Sequence, residues 1–282
     1  MSLPDALRAK HRGRWLAWSR PALEHDVEAL SQGLRRHGLA PGGTLSFIGS
    51  LGLPFVLALL ASHRLGARLR TVAPEHADTA PLNHVIVDRA DQLERLLAWR
   101  PQHLGRVWLA SPVLGRAGDE AGNGVGSLAE LLAEAPAAIA LPATRPDVAG
   151  LRVLAEFDPS WAPGVSWLLH HWLQEGATLV LPEAGGEGWR DRQDAKPHRW
   201  LVDPATLDVA AESLHGRLPR RLGPLAAWRA RRVLGLRRDL HIQCEGLPGT
   251  EAMAIFARLG LQADAAASSP QTWSPVVAEG LA

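Results

Sequence analysis

The chain contains a single cysteine, Cys244, no tyrosine and only two lysines among its 282 residues. One cysteine excludes an internal disulfide framework and cannot supply a cysteine cluster for zinc, so a reducing cytosol fits best. The net charge of +1 excludes both a strongly basic nucleic-acid-binding protein and an acidic solvating tail. We therefore expect no nucleic-acid partner.

Long hydrophobic runs are also missing. The most apolar stretch, residues 51–61, is interrupted by Pro54 and falls far short of the about 20 residues that span a bilayer. The first twelve residues have neither the apolar core nor the small-residue cleavage site of a secretory signal. We predict a cytoplasmic protein without a transmembrane segment.

Helical and strand-like segments alternate along the chain. Apolar residues at Leu23, Val27, Leu30 and Leu34 recur at helical spacing, and Gly38 ends the helix that they predict. Strands are predicted at 44–48, 67–72, 84–87, 106–109, 152–156, 177–181, 200–202 and 240–243. Further helices are predicted at 54–66, 90–99, 128–133, 163–174, 204–214, 225–234 and 250–259. This alternation is typical of βαβ units and parallel sheets.

Two stretches without periodicity divide the pattern. Residues 110–126 are rich in glycine and alanine, which predicts a loop. Residues 134–147 contain three prolines and read as a linker. We therefore predict two α/β subdomains, residues 1–147 and residues 148–282.

The first subdomain carries a succession of weak motifs. A helix is followed by a Pro41-Gly42-Gly43 turn, a strand, the helix start Leu53-Pro54-Phe55 and a Gly66-Ala67 step. In this order the segments resemble the opening of long-chain fatty-acid CoA ligases, which belong to the adenylate-forming (AMP-binding) superfamily. Further likeness covers residues 153–160, 173–180, 234–248 and 260–277. The resemblance implies an α/β fold of two stacked βαβ-type subdomains, as in a truncated N-terminal domain of an acyl-adenylating enzyme.

The nucleotide-handling motifs of that family are missing or altered. The phosphate loop, Gly-Thr-Thr-Gly-x-Pro-Lys-Gly, would follow Asp147, but the chain passes directly to Gly150. In such a loop, backbone N–H groups and a lysine bind the triphosphate. A chain without the loop therefore lacks the groups with which the family binds ATP. Two further segments depart from the family pattern. Cys244-Glu245 stands where the family has the Gly-Gly of its adenine loop. Gln271-Thr272 stands where the family has the Thr-Glu pair whose glutamate holds Mg²⁺. We expect no catalytic residue, no metal site and no cofactor.

An acyl tunnel is the family feature that needs no nucleotide chemistry. The resemblance implies that it lies beside Trp161, Trp167, Trp172 and Gly246. The opposite interpretation is that these tryptophans fill the cavity, since large aromatic side chains close voids efficiently.

These observations favour a non-catalytic acyl-CoA synthetase homologue that binds an acyl group or a protein partner in a lipid or polyketide pathway, as a homodimer or in a heteromer. Two alternatives remain open. One is a divergent AMP-forming acyl-CoA ligase or acyl-adenylate synthase, and the other is a structural heteromer subunit.

Arginines are concentrated between residues 217 and 238, with no acid among them. A solvated helix face is the ordinary explanation of such a run. The alternative is an anion, lipid-headgroup or partner site, because clustered charges focus the electrostatic potential. The candidate anion patch consists of Arg229, Arg231, Arg232 and Arg237.

Adjacent histidines, His170 and His171, lie between Trp167 and Trp172. Imidazole pairs can form metal or acid–base sites. Neighbouring positions on a helix point to different sides, however, so the simpler prediction is one solvent-facing and one packed histidine.

Overall fold

The computed structural model describes residues 5–73, 81–99, 103–110, 125–133, 150–183, 188–215, 224–244 and 249–264. The strands in these segments are β1 (Asp5–His11), β2 (Arg14–Ser19), β3 (Thr44–Ile48), β4 (Arg68–Thr71), β5 (Leu82–Val87), β6 (Leu104–Leu109), β7 (Val125–Ser127), β8 (Arg152–Glu156), β9 (Thr178–Leu181), β10 (Arg199–Val202), β11 (His241–Gln243) and β12 (Gln262–Asp264). The helices are α1 (Arg20–Arg36), α2 (Leu53–Leu65), α3 (Ala90–Trp99), α4 (Leu128–Ala133), α5 (Ala162–Leu169), α6 (Gly188–Ala195), α7 (Pro204–His215), α8 (Pro224–Leu234) and α9 (Thr250–Arg258). A π-helical segment, His170–Gln174, continues α5.

Two compact units make up the chain. The first contains residues 21–141, and the second contains residues 1–20 together with 142–273. Each has its own sheet, and nearly all strand pairs are parallel, which confirms the predicted α/β class. None of the described helices combines the length and apolar content that a bilayer crossing requires.

The first unit is built on a five-stranded parallel sheet in the order β4-β3-β5-β6-β7. Its central strands contribute Ile48, Val85 and Val107 to one apolar cluster, which also contains a residue of α3. Helix α2 is apolar on nearly every side and ends at Gly66, whose left-handed backbone (φ 64°) returns its N–H to the last helical turn.

The second unit is built on a seven-stranded sheet in the order β12-β11-β10-β8-β9-β1-β2. Residues paired across parallel strands share a face, so Leu154, Val180, Trp200 and Ile242 form one side of the sheet. This side packs against α7 and α9, and the rings of Trp200 and Phe256 meet edge to face at 5.9 Å.

Strands β1 and β2 form an antiparallel hairpin at the edge of the second sheet. Its two turn residues, Arg12 and Gly13, both have positive φ, the geometry that tight hairpins require. The Glu183 carboxylate accepts the N–H groups of both, at 2.6 and 2.8 Å. Strand β1 pairs in parallel with β9, Leu7 opposite Leu179, so the hairpin extends the second sheet.

The predicted division at residue 147 had placed the hairpin in the first half of the chain. The pairing places it in the second sheet instead. The physical reason is that β1 has only two buried positions, Leu7 and Ala9, and an alternation this short does not reveal which sheet receives the strand.

Most predicted elements are present within a few residues of their expected bounds. Helix α6, strand β12 and the hairpin were not predicted. Residues 125–126, which were expected in a loop, belong to β7. The rest of that loop from residue 111, and the linker at 134–147, lie outside the described residues.

Candidate functional site

The carboxyl edge of the second sheet is the natural place for a ligand, because parallel sheets bind ligands just beyond the carboxyl ends of their strands. Strands β8, β10 and β11 are neighbours and end at Glu156, Val202 and Gln243. The described segments that follow them are residues 157–161, 203–208 and 244.

Asp203 connects two of these segments. One of its oxygens accepts the N–H of Thr206 at 2.7 Å and so caps α7, while the other accepts the N–H of Asp158 at 2.8 Å. Asp158 in turn accepts the backbone and hydroxyl donors of Ser160. Asp208 accepts the N–H of Gly249 at 2.8 Å, just before α9. The carboxylates at this edge therefore accept hydrogen bonds from the backbone of neighbouring segments of the same chain.

Cys244 follows β11 and is 1% exposed. Burial, together with the nearby carboxylates of Asp203 and Asp208, raises the pKa of its thiol to about 12. The thiol is therefore protonated and unreactive at neutral pH. Of the predicted nucleotide-site positions only this one is described, since Glu245, Gln271 and Thr272 lie outside the described residues.

The three candidate acyl-pocket tryptophans contact different neighbours. Trp161 meets Phe157 edge to face at 5.4 Å and covers Gly164, where an added Cβ would touch its ring. Trp172 is 1% exposed and donates its indole N–H to the carbonyl of Ala6 in β1 at 2.8 Å.

The third tryptophan, Trp167, stacks on the ring of His171 with centroids 5.2 Å apart. Gly246, the fourth predicted pocket residue, lies outside the described residues. The structure thus gives each indole its own packing or hydrogen-bonding contact.

The candidate anion patch divides into two pairs. Arg231 donates to the carbonyl of Leu259, and Arg237 forms a two-bond pair with Asp239 at 2.9 Å, so both have internal partners. Arg229 and Arg232 are exposed. The guanidinium of Arg232 lies over the ring of Trp228, 5.6 Å from its centroid, and that ring is 48% exposed.

The His170-His171 pair occupies the π-helical segment. As predicted, one ring faces solvent and the other is packed: the His170 side chain is 31% exposed and that of His171 is 1% exposed. Both rings nonetheless face Glu175, with His171 Nδ1 at 2.7 Å from Oε2 and His170 Nε2 at 3.4 Å from Oε1. Their other ring nitrogens face glutamine oxygens, Gln243 Oε1 at 2.7 Å and Gln174 Oε1 at 2.9 Å.

Arg199 completes this cluster. Its guanidinium lies 3.2 Å from His171 Nε2 and 3.7 Å from Glu175 Oε2. Burial lowers the pKa of His171, although Glu175 opposes the shift. Sequence reasoning noticed the histidines but missed Glu175, Gln243 and Arg199, because two of these come from distant strands.

A second buried charged cluster lies on the opposite face of the same sheet. Glu156 Oε2 accepts a hydrogen bond from Arg192 at 2.9 Å, and the guanidinium lies 4.6 Å from the centroid of the Trp200 ring. Burial raises the pKa of Glu156, and Arg192 opposes that shift. A small cavity beside this pair, about 20 Å³, is lined mainly by apolar side chains, including Trp189 and Phe256.

Solved structures share this fold. An acyl-CoA synthetase from Brucella canis superposes with a TM-score of 0.69 at 15% identity, covering 92% of this chain and 53% of its own. The A domain of a carboxylic acid reductase from Segniliparus rugosus gives a TM-score of 0.69 at 16% identity, with 92% and 57% coverage. The coronafacic acid ligase of Pectobacterium brasiliense gives 0.65 at 12% identity, with 93% and 57% coverage. The chain matches no protein-family model and no curated protein sequence.

The class that these comparisons establish is therefore a fold class, the two-sheet α/β fold that the three solved structures contain. More particularly, this chain reproduces the two-sheet α/β architecture of acyl-CoA synthetases and related ligases, and it spans little more than half the length of the three structures above. At 12 to 16% identity the likeness establishes the fold alone.

Proposed function

We propose that this chain is a binding protein built on the adenylate-forming fold and that it does not make acyl adenylates. One observation carries the proposal. The described segments that follow β8, β10 and β11, residues 157–161, 203–208 and 244, contain aspartates and neither lysine nor arginine. A triphosphate placed here would meet negative charge, which repels it unless cations lie between.

The aspartates at this edge already have backbone partners. Both oxygens of Asp203 accept N–H groups, and Asp208 is bonded to Gly249. If a divergent ligase used these carboxylates to hold Mg²⁺ for ATP, metal binding would compete with the backbone donors that order α7 and α9. The sequence supports the same conclusion, because only residues 148–151 separate Asp147 from β8, too few for the family's phosphate loop.

The ligand of such a protein is an acyl group or a partner protein, in a lipid or polyketide pathway. The tryptophan contacts favour the partner protein. Trp161 and Trp172 occupy space beside the sheet and are held by Phe157 and Ala6. In this proposal the two anchored side chains fill the space of the family's acyl tunnel instead of lining it. A structural subunit of a heteromer is the second alternative, and it differs from this proposal in that the partner is permanent.

Pyrophosphate release separates this proposal from a divergent ligase. The purified chain is incubated with ATP, Mg²⁺ and carboxylic acids of varied length, with an acyl-CoA synthetase as the positive control. We expect no acid-dependent pyrophosphate and no heat of ATP binding in calorimetry. Saturable, Mg²⁺-dependent ATP binding with pyrophosphate release would overturn the proposal.

A fluorescence titration distinguishes an acyl ligand from a partner protein. Fatty acids and acyl-CoAs of increasing chain length are titrated into the wild-type chain, Trp167→Phe and the control Trp99→Phe, whose ring is 53% exposed on α3 of the first unit. A saturable, length-dependent signal that Trp167→Phe changes and Trp99→Phe preserves would establish an acyl ligand. A flat response in all three leaves the protein partner as the ligand.

A further inference from the structure

Three acceptor groups converge where α5 passes into the π-helical segment. His170, His171 and Glu175 each offer a ligand atom, and these atoms all lie within 4.8 Å of one another. The carboxylate stands between the two rings, with one oxygen toward each. Imidazole nitrogens and a carboxylate are common zinc ligands in proteins.

The hydrogen bonds of the two histidine rings explain why these three groups can bind a cation. A neutral imidazole carries one N–H, so only one of its two nitrogens can donate. His171 Nε2 lies 2.7 Å from Gln243 Oε1, and His170 Nδ1 lies 2.9 Å from Gln174 Oε1. If each ring donates to its glutamine, both nitrogens that face Glu175 carry lone pairs and no proton lies between them and the carboxylate.

The backbone explains how residues five apart reach the same point. The N–H of Glu175 bonds to the carbonyl of His170 at 3.1 Å, an i→i+5 bond that widens the last turn. In an ordinary α-helix only His171 would have Glu175 as its i+4 neighbour. The wider turn brings His170 to the same carboxylate, and π-helical turns of this kind frequently occur at functional sites.

We propose that His170, His171 and Glu175 bind a zinc ion. His170 and Glu175 are each 31% exposed at the side chain, which leaves a path for the ion and room for a water molecule as fourth ligand. In the zinc-bound arrangement, Gln174 and Gln243 accept hydrogen bonds from the ring nitrogens that face away from the ion. Partners of this kind fix the tautomer and orientation of zinc-bound histidines. The three proposed ligands follow α5 and lie outside the segments that follow β8, β10 and β11, and this proposal does not depend on the proposed function.

Arg199 defines the competing, metal-free arrangement. Its guanidinium can donate to His171 Nε2 at 3.2 Å, in which case Nδ1 carries the proton and donates to Glu175. Zinc must displace that proton and tolerate a neighbouring positive charge. Replacing Arg199 with glutamine removes the competing charge, so we expect Arg199→Gln to bind zinc about tenfold more tightly.

The test uses Zn²⁺ in competition with a chromogenic chelator, and Co²⁺ as a spectroscopic probe, on the untagged chain. We expect one ion per chain and the visible absorption of tetrahedral Co²⁺. Glu175→Gln and His170→Ala, both at half-buried positions, should abolish the saturable site while circular dichroism stays unchanged. Gln174→Ala, which removes an orienting partner, should weaken binding by about 10-fold.

His241→Ala is the matched control, because His241 is exposed on β11 and lies outside the cluster. It should bind zinc as the wild type does. Equal binding by wild type, Glu175→Gln and His170→Ala would assign the metal to other histidines and overturn the proposal. Absence of any saturable 1:1 binding in both wild type and Arg199→Gln would overturn it as well, leaving the cluster as a hydrogen-bonded network.

Discussion

Arg192 and Glu156 form a nearly buried ion pair in the second unit, with Arg192 Nη1 2.9 Å from Glu156 Oε2 and each side chain 12% exposed. Such a pair adds little net stability over apolar residues, because both charges lose their hydration. Removing one partner is costly, because the other charge is left buried and unpaired.

Arg192→Met should therefore destabilise the chain by about 3 kcal/mol in urea unfolding. The double variant Arg192→Met/Glu156→Gln should recover part of that loss, because no uncompensated charge remains. Arg89→Met is the control, since Arg89 pairs with Asp91 in an exposed position and should change stability by less than about 1 kcal/mol. Equal effects of the two arginine variants would contradict the buried-pair assignment.

The reactivity of the Cys244 thiol measures whether reagents reach the carboxyl edge of the second sheet. Burial and two neighbouring carboxylates raise the pKa of its thiol to about 12. We expect no reaction with a disulfide reagent at pH 8 in the folded chain and full reaction of one thiol per chain in denaturant. Because the sequence has one cysteine, the readout has a single source. Rapid labelling of the native protein would show that this edge opens.

His198 should contribute to acid sensitivity. Its pKa is lowered by burial and by the charges of Arg237 and Arg152, while its Nδ1 accepts the N–H of Arg152 at 3.1 Å. With a folded pKa below the unfolded value of about 6.5, the unfolded chain binds more protons in the window below pH 6.5. Stability is therefore full above that pH and falls as the pH drops through the window.

His198→Asn, which keeps an acceptor near Arg152, should lose less stability than the wild type between pH 7.5 and pH 5.5. The exposed His241→Asn should behave as the wild type does. The measurement is the urea midpoint at each pH. A wild-type loss that His198→Asn reproduces in full would assign the acid sensitivity to other groups.

Local patterns in the sequence predicted the parallel framework well. Strand β3 lies between the Pro41-Gly42-Gly43 turn and an apolar helix, and its apolar residues Leu45, Phe47 and Ile48 are all buried. The same holds for β8, β9 and β10, whose runs of buried residues are short and bounded by turns.

The candidate sites were harder to predict, because their members meet only in the folded sheet. His171 and Gln243 are 72 positions apart, and Asp158 and Asp203 are 45 apart. No periodicity links such pairs. The convergence on Glu175 also depends on a π-helical turn, and side-chain spacing alone predicts an α-helix there.

The N-terminal hairpin provides the last prediction. Strand β9 consists of Thr178-Leu179-Val180-Leu181, and three of these residues are buried. Strand β1 covers its outer edge, and β2 in turn covers β1; β2 begins with the exposed, charged Arg14 and also carries the exposed apolar Leu16. Exposed apolar strand edges pair readily with other chains, whereas charged edge strands resist pairing.

Deleting residues 1–19 should therefore leave an uncovered β9 and cause association, seen as concentration-dependent oligomers in light scattering and as binding of an amyloid dye on mild heating. Trp172→Phe is the milder companion, because it removes only the indole bond to Ala6 and keeps the strand in place. It should lower stability by about 1 kcal/mol and leave the chain unassociated. A deletion variant that remained monomeric and bound no dye would show that β1 contributes packing but does not protect the edge. Another segment of the chain would then have to cover the exposed backbone groups of β9.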